Sequence, residues 1–242
     1  MATTRLFVEQ KLSTGKSTLL PEAAGHHVAR VLRMKPDQAV ILFNGQGGEF
    51  NAVITSINKS SVEVYLNEFV DIERESPINI ELIQGLSKGD KMDFTIQKAV
   101  ELGVNKITPL ITTYSNVKLD QKRTKKKLEH WRKVIISACE QCGRNQIAEL
   151  TQIKKLEDLQ TTDEKDLKLI LAPDAEKTLA DFSDQIKTIH LVIGPEGGLS
   201  RSEIETLEKN GFIAIKLGSR ILRTETAALA VVAALQNQLG DY

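Results

Sequence analysis

Two cysteines in 242 residues cannot make a disulfide framework. Cys139 and Cys142 have C-x-x-C spacing, but no second pair exists to complete a zinc site, and four histidines form no ligand pattern. No bound metal is expected, and the cysteines read as structural. The longest unbroken apolar run is Ala227–Leu235, far too short to span a bilayer. The opening MATTRLFVEQKLST has no apolar core and no cleavage pattern, so a cytoplasmic location is expected. Net charge is absent too. Lys and Arg number 32, as do Asp and Glu, which argues against a uniformly basic nucleic-acid binder.

What is present is uneven. From Gln84 to Gln146 the chain carries 13 Lys and Arg against 6 Asp and Glu; from Ile147 to Gln185 it carries 5 against 10. One basic segment can meet a polyanion while the whole stays neutral. Its densest part is Lys122-Arg123-Thr124-Lys125-Lys126-Lys127, joined by Lys88, Lys91, Lys118, Arg132 and Arg144. Such runs are usually solvated faces; the alternative is contact with phosphates.

The N-terminal third is β-rich. Strands are expected at Ala39–Phe43, Phe50–Ile57 and Ser61–Phe69, joined by Asn44–Gly48 and by Asn58-Lys59-Ser60. One helix is expected from Leu20-Pro21 to Arg33. This set suggests a small β-barrel, and the charged run Asp71–Pro77 suggests a linker. After Pro77 the rhythm alternates strand, loop and helix, which implies a mostly parallel sheet covered on both faces. The expected division is therefore 1–72 and 73–242.

Two glycine-bearing loops dominate the last quarter: Gly194-Pro195-Glu196-Gly197-Gly198 and Leu217–Thr224. Each follows a short apolar strand and precedes a helix. Ser200 and Glu203 form a capping box for the first helix. The second helix is apolar on every side from Ala227, as a buried helix is. Neither loop has dinucleotide-fold or P-loop spacing. Taken alone, the strand–GPEGG–helix unit has two readings, a plain tight turn or a ligand site. Both loops, with Ala172-Pro173, fall at the strands' C-terminal ends, where such sheets bind ligands.

These residues carry a resemblance. The run from Leu191 through Gly194-Pro195-Glu196-Gly197-Gly198 to Ser200, followed by Leu217-Gly218 and by Arg220 to Ala227, resembles the RsmE family. These are small-subunit (16S) ribosomal RNA uracil-N3-methyltransferases of the SPOUT class. Lys98–Val104 and Glu140–Arg144 match in kind and order. Ser219 departs from the proline that many members carry.

The resemblance implies an α/β domain with a C-terminal trefoil knot, an exception to the rule against threading. It implies a PUA-like RNA-binding barrel before that domain, a homodimer, and S-adenosylmethionine as cofactor. It assigns cofactor contact to Leu171, Ile193, Gly194, Pro195, Glu196, Gly198, Leu217, Gly218, Ile221, Leu222, Thr224 and Ala227.

Methylation at uracil N3 requires loss of the N3 proton, so the site must stabilise negative charge, accept a proton, or both. Arg144 and Arg223 are the candidates for the charge. Glu196 or Glu225 is the candidate acceptor, unless each caps a helix or orients an arginine. RNA contact is expected at Arg30, Arg33, Lys88, Lys91, Lys122, Arg123 and Arg144. Two rival readings remain: a ribose 2′-O-methyltransferase of the same fold, and a non-catalytic RNA-binding assembly factor.

Overall fold

The computed structural model describes residues 3–59, 61–115, 120–159, 165–182 and 186–242. Ser60 of the expected turn and Lys118 of the basic set lie outside the described residues. The chain forms two compact units: 1–75 with 139–147, and 76–138 with 148–242. The sequence-based division at 72/73 did not anticipate that a second, distant segment joins the first unit.

In the N-terminal unit, β1 (Thr4–Phe7), β2 (Ser17–Leu19), β3 (Ala39–Phe43), β4 (Glu49–Asn58) and β5 (Ser61–Val70) form one sheet. Its order is β1-β3-β4-β5-β2, with β1 parallel to β3 and the other pairs antiparallel. The edge strands β1 and β2 have no ladder between them among the described residues, so the pairing is that of an open sheet. Alternate residues of β4 and β5 point inward: Ala52, Ile54, Val62, Val64 and Leu66 pack with Leu6, Val28 and Leu42. The predicted helix is shorter and less regular. Helix α1 (Glu22–His26) runs into a π-helical turn at His27–Val31, and Arg33 ends it at φ +52°.

The segment after Gly143 belongs to this unit because its polar groups are satisfied there. Arg5 pairs with Glu49, donates to Asn145 Oδ1 (2.7 Å) and lies over the Phe43 ring. Arg74 joins Glu49 (3.0 Å) to the Gly143 carbonyl (3.0 Å).

The C-terminal unit contains β6 (Asn79–Gly85), α2 (Asp90–Glu101), β7 (Lys106–Ile111) and most of α3 (Gln121–Cys142). Two short strands follow, β8 (Glu149–Leu150) and β9 (Lys154–Lys155). The unit ends with β10 (Leu167–Leu171), β11 (Thr188–Ile193), α4 (Arg201–Lys209), β12 (Ile213–Ile215) and α5 (Thr224–Leu239). The sheet runs β12-β10-β11-β6-β7-β8, with β9 also on β7, and every pair is parallel.

The central strands are buried on both faces, as Leu82 with Ile83 and Leu191 with Val192 show. Their near-continuous apolar sequences follow from that. Helix α5 packs against α2, β6 and β11, which accounts for its small apolar residues.

Polar residues in this sheet make their own ladder. His190 hydrogen-bonds Glu81 Oε2 through Nδ1 (2.6 Å) and Asp166 through Nε2 (3.0 Å). Glu81 Oε1 also accepts from Thr108 (2.6 Å) and faces Lys106 (3.5 Å). His190 is thus a half-buried histidine with both ring nitrogens satisfied.

Candidate functional site

The C-terminal ends of β10, β11 and β12 open onto one cavity of about 770 Å³. It is lined by the turn after β10, by the Gly194–Gly198 loop, by Lys216–Thr224 and by Lys91 of α2. Gly194, Gly197, Gly198 and Gly218 form part of its wall. Gly198 (φ +72°) and Gly218 (φ +70°) adopt left-handed conformations. A β-carbon at either would meet nothing within 4 Å, so both leave open space beside them. A β-carbon at Gly194 would stand 2.8 Å from the Gly198 carbonyl carbon, so only glycine permits that tight turn.

One buried hydroxyl ties the two loops together. Thr224, the first residue of α5, donates to the Gly194 carbonyl (2.6 Å) and accepts from Gln84 Nε2 (3.0 Å). Gln84 is fully buried and Thr224 nearly so. Next to Gln84, β6 ends at Gly85, where an added β-carbon would lie 2.5 Å from Pro195 N. Neither Gln84 nor Gly85 was singled out from sequence. The signal was there: an amide followed by glycine closes the strand directly after the apolar pair Leu82-Ile83.

All twelve residues assigned to cofactor contact line the cavity. Of the four catalytic candidates, Arg223 and Glu196 line it, whereas Arg144 and Glu225 do not. Arg223 is exposed and has no carboxylate partner among the described residues.

Arg144 is buried in the N-terminal unit, where both its Nε (3.0 Å) and Nη2 engage the Glu75 carboxylate. Burial opposes its charge, but the Glu75 hydrogen bonds outweigh burial and raise its pKa. A buried guanidinium needs such a counter-charge, and two of its nitrogens are turned to that task.

The two glutamates meet on one lysine rather than on an arginine. Lys91 Nζ lies 3.6 Å from Glu196 Oε1 and 3.9 Å from Glu225 Oε2. Glu196 also accepts from the Lys88 backbone N–H (3.2 Å). Burial pushes the Glu196 carboxyl up, but backbone hydrogen bonds and Lys91 prevail and hold it below the usual range. That makes it a weak base. Glu225 sits in the first turn of α5, where the helix dipole favours a carboxylate.

The remaining RNA candidates, Arg30, Arg33, Lys88, Lys122 and Arg123, are exposed. Arg123 pairs with Asp120 at 3.5 Å. Cys139 is buried, and its thiol approaches the Gln146 carbonyl (3.5 Å). No group of three or more His, Cys, Asp or Glu that could hold a metal occurs among the described residues. No described helix is long and apolar enough to cross a membrane.

Comparison with known proteins gives this site a family. Residues 74–236 match the RNA methyltransferase domain, and residues 20–65 match the RNA methyltransferase PUA domain. The ribosomal RNA small subunit methyltransferase E of Buchnera aphidicola (from Schizaphis graminum) is 40% identical, covering 98% of this chain and 97% of its own. A Legionella pneumophila methyltransferase solved with bound SAM superposes with a TM-score of 0.97 at 43% identity, over all of both chains. The Neisseria gonorrhoeae ribosomal RNA small subunit methyltransferase E, solved with S-adenosyl methionine, gives 0.93 at 38% identity, again over all of both chains. With its PUA-type segment, its parallel sheet and its glycine-lined cavity, this chain belongs to the ribosomal RNA small subunit methyltransferase E family.

Proposed function

We propose that this protein transfers the methyl group of S-adenosylmethionine to N3 of a uridine in 16S ribosomal RNA. The observation that carries the reading is the cavity itself. Two loops that resemble the RsmE motifs, Ser219 apart, close on one space large enough for a nucleoside-sized ligand. The residues fit that cofactor: open glycines provide main chain at close approach, and Leu171, Ile193, Leu217 and Leu222 provide apolar walls.

When bound, S-adenosylmethionine supplies an electrophilic methyl group on a sulfonium. The chain's part is alignment and charge. Holding the acceptor base in line makes the reaction effectively unimolecular. Arg223 and Lys91 are the cations best placed to stabilise the uracil anion left when the N3 proton passes to solvent water, because Arg144 pairs with Glu75. Glu196, held below the usual range, serves better to fix Lys91 than to accept a proton. The exposed lysines and arginines carry the backbone contacts to RNA, with the PUA-type sheet as the second binding element.

A trefoil knot accounts for the path of the chain end. β12 lies at the sheet edge beyond β10, yet the next helix, α5, packs on β6 and β11 in the middle. The intervening residues 216–223 must recross the sheet's C-terminal ends. A homodimer accounts for Ile221, which is 86% exposed beside the cavity, and for half-buried Leu229, Ala230, Ala233 and Ala234 on α5. A protein acting on ribosomal RNA would work in the cytoplasm.

The test is methyl transfer to small ribosomal subunits that lack the modification, with mass analysis and mapping of the product. N3-methyluridine is expected. A ribose 2′-O-methyl product would replace the reading with another enzyme of the same fold. Absence of S-adenosylmethionine binding in a calorimetric titration would favour a non-catalytic assembly factor.

A further inference from the structure

Tyr114 stands apart from the residues above, and its placement is unusually constrained for an exposed side chain. It belongs to the turn that follows β7. The turn is closed from within: Thr112 N–H donates to Ser115 Oγ (3.0 Å), Ser115 N–H donates to Thr112 O (3.0 Å), and the two hydroxyls lie 2.9 Å apart. It is also fixed from outside. Thr113 N–H donates to Glu203 Oε1 (2.7 Å), while Glu203 Oε2 accepts from Ser200 N–H (2.8 Å) at the start of α4. One carboxylate therefore bridges this turn and the helix that follows the Gly194–Gly198 loop.

Tyr114 is 48% exposed in this turn. The base of its side chain lies on Gly197, where an added β-carbon would stand 2.8 Å from Tyr114 Cβ and 3.3 Å from Cγ. Gly197 in turn lines the cavity, as do the cations Lys91 and Arg223. The ring is thus anchored at its root, half bare to solvent, and next to the cavity wall. It stands on the side of a parallel sheet where ligands bind.

We propose that Tyr114 is the stacking platform for the acceptor nucleobase, an unpaired pyrimidine presented to the cavity from RNA. The proposal rests on the reading that the acceptor is an RNA base. Chemistry on a base requires that it leave its neighbours in the strand, and a flipped base is commonly held by stacking on an aromatic face. A ring fixed beforehand serves this purpose better than a mobile one, since less ordering is needed on binding.

The experiment compares Tyr114→Ala and Tyr114→Phe with the unchanged protein. It measures S-adenosylmethionine Kd, thermal melting, and kcat/KM for unmodified small subunits. It also maps photo-crosslinks from a ribosomal RNA fragment carrying 5-iodouridine at the acceptor position. For Tyr114→Ala we expect kcat/KM to fall roughly 10-fold or more, as loss of one base–aromatic stack implies. Cofactor Kd should stay within about 2-fold and melting should be unchanged. Tyr114→Phe should stay within about 3-fold of the unchanged protein, and the crosslink should fall on Tyr114. Undiminished kcat/KM in Tyr114→Ala, equal damage in both variants, or crosslinking only to other residues overturns the platform while leaving the methyltransferase reading intact. Failure of the unchanged protein to methylate any RNA base overturns both.

Discussion

Thr224 and Gly194 are joined by a 2.6 Å hydrogen bond, hydroxyl to carbonyl, and the same hydroxyl accepts from Gln84. Valine at position 224 keeps the shape and removes both bonds, leaving the Gly194 carbonyl without this donor and Gln84 Nε2 with only its bond to the Gly85 carbonyl (3.2 Å). We expect Thr224→Val to cost about 1–3 kcal/mol of stability and to weaken S-adenosylmethionine binding, while Thr224→Ser stays close to the unchanged protein. Denaturant unfolding and calorimetric titration check this. Equal behaviour of the two variants would show that the hydroxyl does not organise the loops.

Gly85 has an ordinary backbone conformation but no room. Its added β-carbon would sit 2.5 Å from Pro195 N and 2.9 Å from the Gly194 carbonyl carbon. Both are main-chain atoms that cannot swing aside. Gly85→Ala should destabilise by about 1–3 kcal/mol, and cofactor affinity should drop with it because the Gly194–Gly198 loop must shift. Unaltered titration and melting curves would contradict the close approach.

Arg144 and Glu75 form a pair with side chains 5% and 9% exposed. Removing one partner strands a buried charge, so Arg144→Ala should cost about 3–5 kcal/mol. The double change Arg144→Met with Glu75→Met should recover most of that loss. Melting of the single and double variants tests it. Reduced turnover at full stability would instead return Arg144 to the catalytic set.

His190 lies between Glu81 and Asp166, with Lys106 on the far side of Glu81 and Lys168 beside it in register. The Glu81 hydrogen bond raises the His190 pKa first; burial opposes, and Asp166 adds to the rise. A raised histidine contributes its full stability below the ordinary 6.5 and loses it as pH climbs through the raised value. Burial pushes Glu81 up, but His190, Thr108 and Lys106 prevail and lower it to about 2. Its share is present above the ordinary 4.5 and is lost as pH falls toward about 2. The cluster is therefore most effective between 4.5 and 6.5. His190→Ala should depress the melting temperature more at about pH 5.5 than at about pH 8.5. A pH-independent difference would refute the linkage.

The alternation of strands and helices after Pro77 was readable because each parallel strand is a short apolar block between punctuating loops. The cap of α4 was readable because Ser200 and Glu203 satisfy each other locally, and Ser200 N–H does donate to Glu203 (2.8 Å). The second task of Glu203, holding Thr113, depends on a contact 90 residues away and left no local pattern. Arg144 misled for a related reason. A motif arginine reads as a free cation until Glu75, 69 residues earlier, is seen against it. β8 and β9 went unnoticed because two-residue strands carry no period. The π-helical turn at His27–Val31 has an ordinary helical sequence pattern.

Four glycines line the cavity, and the room around each sets how the sequence there can drift. A systematic scan of the Gly194–Gly198 loop would separate two kinds of position. Bulk gained at Gly194 collides with Gly198, and bulk gained at Gly197 collides with Tyr114. At Gly198 an added β-carbon meets nothing, and only the left-handed φ of +72° resists a side chain. Variants of this loop are then limited by room for the main chain at Gly194 and Gly197, and separately by the ion pair of Glu196 with Lys91.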